Sequence, residues 1–281
     1  MRPIGETPTK AGSMPSAEAI DGVDIDHISV CMITLDEEQF LETCLQRLEP
    51  HFGHFAMLDM GSADRTVEIA RDVFGSRLTL SHWPRQNLFQ QGFSGARNAA
   101  SSLSHRDWRL HIDADELMVL DQSTRRIVSR DGSFGDRAWK VRRRNLIGPS
   151  PATLGTDVLA DYETSSLEQH VRLVRRGPAV EWIGFLHEEV FVEGERASVA
   201  APEAFVTLDH VSHFKYLESR ILKESFYAWM LMTAYFQPEI RIGMRPEYIE
   251  HTEKMWDYLY PIANEFGLRE GLTHNWKNLS D

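Results

Sequence analysis

The sequence predicts an α/β fold in which a mostly parallel sheet carries helices on both faces. Ile28 to Thr34 is an almost unbroken apolar run of strand length, as expected for a strand covered on both sides. From there to Ile112, short apolar runs alternate with stretches of helical periodicity. This alternation is typical of βαβ units, whose strands lie parallel in one sheet.

Four strands and three helices account for the first part of the chain. The expected strands are Ile28 to Thr34, Phe55 to Leu58, Leu78 to His82 and Trp108 to Ile112. The first helix is expected to start at Asp36 as N-cap, with Gln39 as its capping-box partner. Asp64 is expected to cap the second helix, which ends near Phe74, and a third helix covers the segment from Phe93 to Leu103.

The second part of the chain has a different pattern. Strands with tight turns are expected at Ala138 to Asn145, His170 to Arg175, Ala179 to Leu186 and Glu189 to Glu193, so the sheet becomes mixed. Two amphipathic stretches, Tyr216 to Tyr235 and Pro246 to Phe266, predict helices. The predicted organisation is a flexible tail (1–26), one α/β domain (27–213) and a C-terminal helical region packed on it (214–281).

Composition narrows the class of protein. The formal net charge of −12 argues against broad contact with nucleic-acid phosphates. The two cysteines, Cys31 and Cys44, lie in apolar contexts and predict buried thiols in a reducing compartment. Because no run approaches about 18 consecutive apolar residues, we expect a cytoplasmic protein. Peripheral membrane contact and a homodimer are left open.

The segment His111 to Glu116 carries the clearest chemical signal. Its two aspartates, Asp113 and Asp115, follow an apolar strand and are spaced by one residue, so both carboxylates can converge on one cation. Carboxylate oxygens suit Mg²⁺ or Mn²⁺. Thr34 and Asp59 also fall at carboxyl ends of predicted strands, where ligands gather in parallel sheets. The sequence therefore predicts one site at this edge.

Several motifs then resemble the inverting family 2 glycosyltransferases, which have a GT-A fold. The matching pieces are ISVCMITLDEEQFLETCL, LDMGSADRTVEIA, FSGARNAA and WRLHIDADE, in that order. A further block, HVRLVRRGPAVEWIGFLHEEVFVEG, is similar to the branch that contains lipopolysaccharide-core and peptide S-glycosyltransferases. The resemblance implies a GT-A-type, Rossmann-like sheet with a C-terminal helical extension, and transfer of a sugar from a nucleotide-diphosphate donor.

The same resemblance implies a donor pocket. Thr34 and Glu37 would lie near the ribose and base of the nucleotide. Asp59 would accept a hydrogen bond from the nucleobase, most often uracil in this family, whereas an ordinary turn aspartate is the simpler interpretation. Arg97, in a helix of otherwise small residues, would contact the base or the diphosphate. Asp64 is fully explained by helix capping.

A divalent metal, Mn²⁺ or Mg²⁺, is also implied. Asp113 and Asp115 would bind it, Asp115 more directly, and it would neutralise the departing diphosphate. His213, just before the helical region, is the expected third ligand. His187 and His210 are alternatives, although a single histidine is more often structural.

Inversion requires a base that deprotonates the acceptor. Glu188 is the first choice because the His-Glu pair recurs here in the branch that the chain resembles, and a carboxylate within hydrogen-bond reach can act as base. A carboxylate at the rim of the site is the competing interpretation. Glu189 and Asp161 are the alternative bases.

Two basic clusters allow opposite interpretations. Lys140, Arg142 and Arg144 alternate on one strand face, and Arg172, Arg175 and Arg176 form the second group. They could line a groove for an anionic acceptor or for the diphosphate, but a solvated face is the more common outcome. The acceptor itself is not indicated: a glycan, a lipid-linked sugar, a peptide or a small molecule remain open.

Two other functions are compatible with this pattern. A nucleotidyltransferase acting on sugar phosphates uses a similar core, but the segment after the first strand, Thr34 to Glu37, is not a glycine-rich phosphate loop. A non-catalytic sugar-nucleotide-binding protein would keep the fold. The presence of both Asp113 and Asp115 argues against that loss of activity.

Overall fold

The computed structural model of the protein describes residues 22–130, 137–151, 153–199 and 201–216, together with Phe226, Tyr227 and Met230. Most of the predicted tail and nearly all of the predicted C-terminal helical region lie outside these residues. Phe226, Tyr227 and Met230 are helical, within the first of the two helices expected there.

Helices and strands alternate through the first half of the described chain. Four α-helices, α1 to α4, span Glu38–Leu48, Thr66–Phe74, Asn87–Ser102 and Thr156–Ala160. The strands β1 to β13 span Gly22–Asp24, Ile28–Thr34, Phe55–Asp59, Leu78–His82, Trp108–His111, Glu116–Val119, Arg126–Val128, Ala138–Ile147, Glu163–Arg175, Val180–Ile183, Glu189–Val192, Glu195–Arg196 and Glu203–His210. Short 3₁₀ turns occupy Ile25–His27, Gly75–Arg77, Ala197–Val199 and Ser212–Phe214.

Eight of the strands form one mixed sheet in the order β4-β3-β2-β5-β9-β8-β13-β6. The first four are parallel to each other, and β8 is parallel to β13. The remaining pairs, β5–β9, β8–β9 and β6–β13, are antiparallel. The predicted α/β class is confirmed, including a largely parallel sheet that becomes mixed in the second half of the chain.

Both faces of the parallel strands are covered, which explains their uninterrupted apolar sequence. Along β2, Val30 and Met32 belong to the core cluster formed with α1 and α2, whereas Ile33 belongs to a second cluster. That second cluster contains Leu88 and Ala96 of α3. Side chains of a strand alternate between faces, so each face of β2 contacts a different helical layer.

The start of α1 differs from the prediction. The helix begins at Glu38 with Glu37 in the N-cap position, and Asp36 has a left-handed backbone with φ of 53°. The Asp36 carboxylate accepts a hydrogen bond from Ala63 N (2.7 Å). Gln39 does not cap Asp36; its side chain binds the backbone of Phe214 and residue 216. The capping-box prediction was wrong because distant partners take both side chains.

Other boundaries shift by a few residues. Residues 22–24, assigned to the flexible tail, form β1 and pair antiparallel with β7. Val23 and Ile25 are buried, so the structured part begins before the predicted boundary at residue 27. The predicted strand from His170 begins at Glu163 and forms a long hairpin with β8. The predicted strand from Ala179 to Leu186 is only Val180–Ile183, and a loop follows it.

Strand β13 brings the end of the described chain to the predicted site. It lies between β8 and β6 and pairs with both. Strand β6 directly follows the two aspartates, so β13 connects them to the rest of the sheet. Beyond β13, Val211 N donates to the carbonyl oxygen of Asp115 (2.9 Å). Residues 210–215 therefore lie beside the aspartate motif, although they are distant from it in sequence.

Candidate functional site

The carboxyl ends of β2, β3 and β5 meet at one edge of the sheet. Thr34 and Asp59 are register partners across β2 and β3, and Cys31 pairs with His111, two residues before Asp113. The predicted convergence of these residues is thus present in the strand register. Thr34 is buried, and its hydroxyl oxygen has no hydrogen-bond partner among the described residues.

Asp59 organises the turn that follows β3. Its carboxylate accepts hydrogen bonds from Gly61 N (3.1 Å) and Ser62 N (3.2 Å), and only 6% of the residue is exposed. The turn needs φ of 96° at Gly61, a conformation that glycine adopts without strain. His82 Nδ1 lies 3.6 Å from the same carboxylate. Asp59 therefore stabilises the loop, and its remaining lone pairs leave it able to accept a further donor.

Asp113 lies between two buried arginines. Its Oδ1 accepts from Arg97 Nη2 (2.8 Å), and its Oδ2 accepts from Arg172 Nη2 (3.0 Å). Arg172 also donates to Glu116 Oε1 (2.7 Å), a fully buried carboxylate. Burial alone would raise the pKa of Asp113, but the charges of Arg172 and Arg97 outweigh it and hold the pKa well below its usual value.

Arg97 joins the aspartate motif to the predicted base. Its Nε donates to Glu188 Oε1 while Nη2 holds Asp113, and its guanidinium lies 5.0 Å from the ring centroid of Trp182. Only 5% of Arg97 is exposed. Burial disfavours the cation, but Asp113 and Glu188 outweigh this effect and raise the pKa of Arg97 above its ordinary value. Where a diphosphate contact was predicted, the structure shows two carboxylate contacts.

Helix α3 also fixes the loop that carries Glu188. The Asn98 side chain binds the backbone of Trp182 twice, from Nδ2 to the carbonyl oxygen and from Trp182 N to Oδ1, both at 2.9 Å. At Gly92, φ of 62° interrupts the helix, and Phe93 N donates to the carbonyl oxygen of Phe185 (2.9 Å). Together with Arg97, these contacts attach the loop, and the end of β10 that leads into it, to α3 at three points.

Asp115 is almost fully buried and faces two cationic or basic groups. Lys215 Nζ lies 3.0 Å from Oδ2, and His210 Nε2 lies 3.6 Å from Oδ1. Lys215 also contacts both carboxylate oxygens of Glu37, at 2.8 and 2.6 Å. Glu37 is thus at the site, as predicted, but its carboxylate is held by an ammonium group rather than exposed to a ligand.

The predicted metal trio is only partly assembled. Among the described residues, no three acidic, histidine or cysteine side chains converge closely enough to hold a cation. His213 is exposed on its 3₁₀ turn, and its ring contacts Phe214, whereas His210 is the histidine beside Asp115. Carboxylate oxygen suits Mn²⁺ or Mg²⁺, whereas imidazole nitrogen is a ligand of transition-metal ions. The Lys215 ammonium near Asp115 shows that this place accommodates positive charge, so Asp115 with His210 fits such an ion.

The alternative bases are less well placed. Glu189 is bound to Arg196 on the hairpin of β11 and β12 (2.5 Å). Asp161 is exposed at the C-terminal end of α4. His187, an alternative metal ligand in the same loop as Glu188, is exposed with φ of 55°. Glu188 is the carboxylate among these that is linked through Arg97 to Asp113.

The two basic clusters do not form an anion-binding groove. Arg142 binds Glu203 (2.7 Å), and Arg144 binds Asp209 (2.7 Å), so carboxylates of β13 neutralise this face of β8. In the second group, Arg172 is buried at Asp113, whereas Arg175 and Arg176 are exposed. The grouping was wrong because adjacent strand residues point to opposite faces.

Three further residues at the site were not predicted. Lys215 and Glu116 contact the aspartates or their partners, and Tyr227 lies near them. Burial, followed by the charges of Asp115 and Asp113, raises the pKa of Tyr227 above its ordinary value. Glu116 is the last residue of the His111 to Glu116 segment and could have been named as a site residue. Lys215 has no local signal, because its place depends on β13.

Comparison with known proteins identifies the first part of this architecture. Residues 29–130 match the family described as Glycosyl transferase family 2. The matched segment makes up 102 of the 281 residues. It contains Thr34, Asp59, Arg97 and both aspartates, and it agrees with the predicted GT-A type of α/β fold.

Similar proteins cover only part of the chain. A TPR repeat-containing protein of Synechococcus elongatus is 36% identical over 103 residues, which is 37% of this chain and 24% of that relative. The chain thus matches about a quarter of the relative's length. Within the described residues, no helix combines the length and the apolar character needed to cross a membrane.

Among solved structures, TarS 1–349 of S. aureus is 22% identical, with a TM-score of 0.28 and coverage of 32% of this chain and 28% of that one. Glucosyl-3-phosphoglycerate synthase of Mycobacterium tuberculosis, solved with Mn²⁺ and UDP-glucose, is 27% identical with a TM-score of 0.24. It covers 32% of this chain and 33% of that one. These overlaps are too partial to inform on function.

Proposed function

We propose that this chain is a metal-dependent, inverting glycosyltransferase that takes a sugar from a nucleotide-diphosphate donor, a UDP-sugar first of all. The observation that carries the proposal is the pair of contacts made by Arg97. One guanidinium contacts both Asp113 of the motif and Glu188, the predicted base. A donor-side carboxylate and an acceptor-side carboxylate are thereby one side chain apart, inside a segment and loop that the family resemblance assigns to transfer.

The proposed roles follow from position at the sheet edge. Thr34 and Asp59 line the nucleotide pocket, and Asp115, with His210 beside it, would hold the divalent ion. When bound, such an ion offsets the diphosphate charge and favours its departure. The acceptor hydroxyl or thiol attacks the anomeric carbon as the bond to the diphosphate breaks. Glu188 takes the acceptor proton on the face opposite the leaving group.

The donor experiment uses the purified chain, Mn²⁺ or Mg²⁺, and a panel of nucleotide sugars, with release of nucleoside diphosphate as readout. We expect release with at least one UDP-sugar and loss of it in Asp115→Asn. Pyrophosphate formation from a nucleoside triphosphate would indicate a nucleotidyltransferase instead. Absence of both release and thermal stabilisation with every donor would indicate a non-catalytic protein.

The base is tested by two neighbouring carboxylates. Glu188→Gln keeps the shape but cannot accept a proton, so we expect transfer to fall by about 10²- to 10⁴-fold. Glu189→Gln is the matched control, because Glu189 is bound to Arg196. Donor binding, measured by calorimetry with UDP and Mn²⁺, should be retained in both variants. Equal losses in the two variants, or full activity of Glu188→Gln, would remove Glu188 from the mechanism.

The acceptor is a separate question. The branch of lipopolysaccharide-core and peptide S-glycosyltransferases suggests a glycan, lipid-linked or peptide acceptor, and small molecules complete the panel. The net charge of −12 makes nucleic acid a poor choice. Acceptors are best screened with the donor that the release experiment selects.

A further inference from the structure

Lys215 lies among the charged residues of the donor edge, the edge of the sheet at the carboxyl ends of β2, β3 and β5 where the donor is proposed to bind. Its ammonium lies 3.0 Å from Asp115 Oδ2 and 2.6 Å from the nearer oxygen of Glu37. Its side chain is only 8% exposed. A buried ammonium needs anionic partners, and the carboxylates of Asp115 and Glu37 serve as such partners for Lys215. These partners are the residue expected to bind metal and a residue expected to line the nucleotide pocket.

The backbone around Lys215 is fixed by helix α1. Gln39 Nε2 donates to the carbonyl oxygen of Phe214 (3.1 Å), and Tyr216 N donates to Gln39 Oε1 (3.1 Å). One amide thus holds the residues on both sides of Lys215. Phe214 is buried, and its ring meets Tyr162 edge to face at 5.3 Å. The position of Lys215 is therefore built into the fold, while its four-carbon side chain can still reorient.

A divalent ion at Asp115 and the ammonium at the same carboxylate would repel each other. Lys215 Nζ lies 3.0 Å from Oδ2, so it occupies the position next to this oxygen that a bound ion would need. An ion bound to Oδ2 would displace Nζ from Asp115, and an ion on the Oδ1 side, next to His210, would still repel the ammonium. The strongest new anion at this edge would be the diphosphate that arrives with the metal, and ammonium groups are common phosphate ligands.

We propose that Lys215 is a diphosphate-binding residue: its ammonium balances Asp115 and Glu37 in the free protein and binds the donor's phosphate oxygens when a metal takes its place. The inference rests on the proposed function, because it needs a nucleotide-diphosphate donor. It differs from a purely structural role for Lys215 in a measurable way. Removal of the charge should affect metal and nucleotide binding in opposite directions.

The experiment measures binding by calorimetry for the full chain, with Mn²⁺ alone, UDP with Mn²⁺, and uridine. In Lys215→Met, Mn²⁺ alone should bind several-fold more tightly, because its competitor at Asp115 is gone. UDP with Mn²⁺ should bind about tenfold more weakly or worse, the size expected for a hydrogen bond to a charged group. Uridine, which lacks phosphates, should bind as it does to the wild type.

Two further variants complete the test. Lys215→Arg keeps the charge and should retain most of the affinity for UDP, which also covers the case that Lys215→Met folds poorly. Lys140→Met is the control for loss of a lysine charge. Lys140 lies on β8, and so does Asn145, which binds His210 at the site. The two residues are five positions apart, which is about 17 Å along the strand. Lys140→Met should leave all three affinities unchanged.

The outcomes separate the two proposals. Unchanged affinity for UDP in Lys215→Met, or weaker binding of Mn²⁺ alone, would overturn the role of Lys215 while the proposed function stands. A parallel loss of uridine and UDP binding in both Lys215 variants would likewise overturn it in favour of a structural role. Failure of the wild type to bind UDP or any other nucleoside diphosphate would overturn the proposed function first.

Discussion

At the scale of single residues, the site is a set of charges that neutralise each other. Arg97 and Arg172 bind Asp113, and Lys215 binds Asp115. Buried charges are tolerated only with partners, so each carboxylate here is both a candidate ligand and a structural counter-ion. Substitution of either aspartate should consequently affect stability as well as activity.

Asp113→Asn should destabilise the protein and change how its stability depends on pH. The substitution leaves Arg97 and Arg172 without a carboxylate they share, which should cost about 2 to 3 kcal/mol of unfolding free energy near pH 7. Since the folded-state pKa of Asp113 is lowered, its contribution is complete above about pH 5 and declines as the pH falls toward the folded-state value.

Urea unfolding between pH 3 and 6 measures both effects. The wild type should lose stability more steeply than Asp113→Asn as the pH falls. Asp107→Asn is the control, since Asp107 is exposed and its nearest ion-pair partner, His27, is 3.5 Å away. Parallel pH profiles for wild type and Asp113→Asn would contradict the assignment of the lowered pKa to Asp113.

At the scale of elements, α3 positions the loop of the predicted base. The backbones of α3 and this loop approach each other closely at Gly92, where an added Cβ would lie 2.4 Å from the carbonyl oxygen of Phe185. Its φ of 62° adds a strain that glycine avoids. Close backbone contact of this kind leaves the loop with little room to move away from Arg97.

Gly92→Ala should displace this loop. We expect a loss of about 3 kcal/mol or more in unfolding free energy, from strain and overlap together, and a reduced rate of transfer. Gly75→Ala separates the two causes: Gly75 also has positive φ, 50°, but an added Cβ there would meet no atom within 4 Å. Gly75→Ala should cost about 1 to 3 kcal/mol from backbone strain alone and leave transfer unchanged. Equal costs would show that the contact with Phe185 is not limiting.

Asn98→Asp tests the second attachment of the loop. A carboxylate can still accept from Trp182 N, but it cannot donate to the Trp182 carbonyl oxygen and would repel it. The expected result is a lower unfolding free energy, by about 1 to 3 kcal/mol, and a lower rate of transfer. Gln90→Glu, an exposed amide-to-acid change on the same helix, should be close to neutral. An Asn98→Asp protein with wild-type activity would argue against loop positioning by α3.

Whether the sequence predicts a strand or a contact depends on how far apart in sequence the residues that form it lie. The buried strand from Ile28 to Thr34 was predicted with its observed bounds, because its apolar pattern is local. The presence of Asp59 and Asp113 at one edge followed from parallel topology. The contacts of Gln39 and Lys215 could not be predicted, since their partners are far along the chain. His213 was preferred to His210 for the same reason: only the course of β13 decides which one faces Asp115.

At the scale of the whole molecule, separate apolar clusters cover the two faces of the sheet, and both thiols are buried in the interior. Cys31 and Cys44 are fully buried and unpaired, as the sequence predicted. Burial raises the pKa of Cys31 to about 12, although Arg109 partly opposes it. For Cys44, burial and then Glu116 raise the pKa. Thiolate, the reactive form, is therefore scarce in the folded protein.

Both thiols should report on global unfolding. In the native protein neither should react with Ellman's reagent at pH 8 within minutes, and both should react in denaturing urea. The midpoint of reactivity should coincide with that of tryptophan fluorescence, as expected if the core opens as one unit. A single thiol that reacts rapidly without urea would show that one part of the core opens on its own.

The placement of β13 between β8 and β6 also has a consequence during biosynthesis. Strand β6 leaves the ribosome long before Glu203–His210, its partner in the sheet. At synthesis rates of about 5–20 residues per second, the interval is roughly 4 to 17 s. Throughout that time the Asp115 side chain of the nascent chain lacks both His210 and Lys215, whereas Arg97, a partner of Asp113, has already been synthesised. The proposed donor site can become competent only after translation has passed residue 215, however early the preceding βαβ units fold.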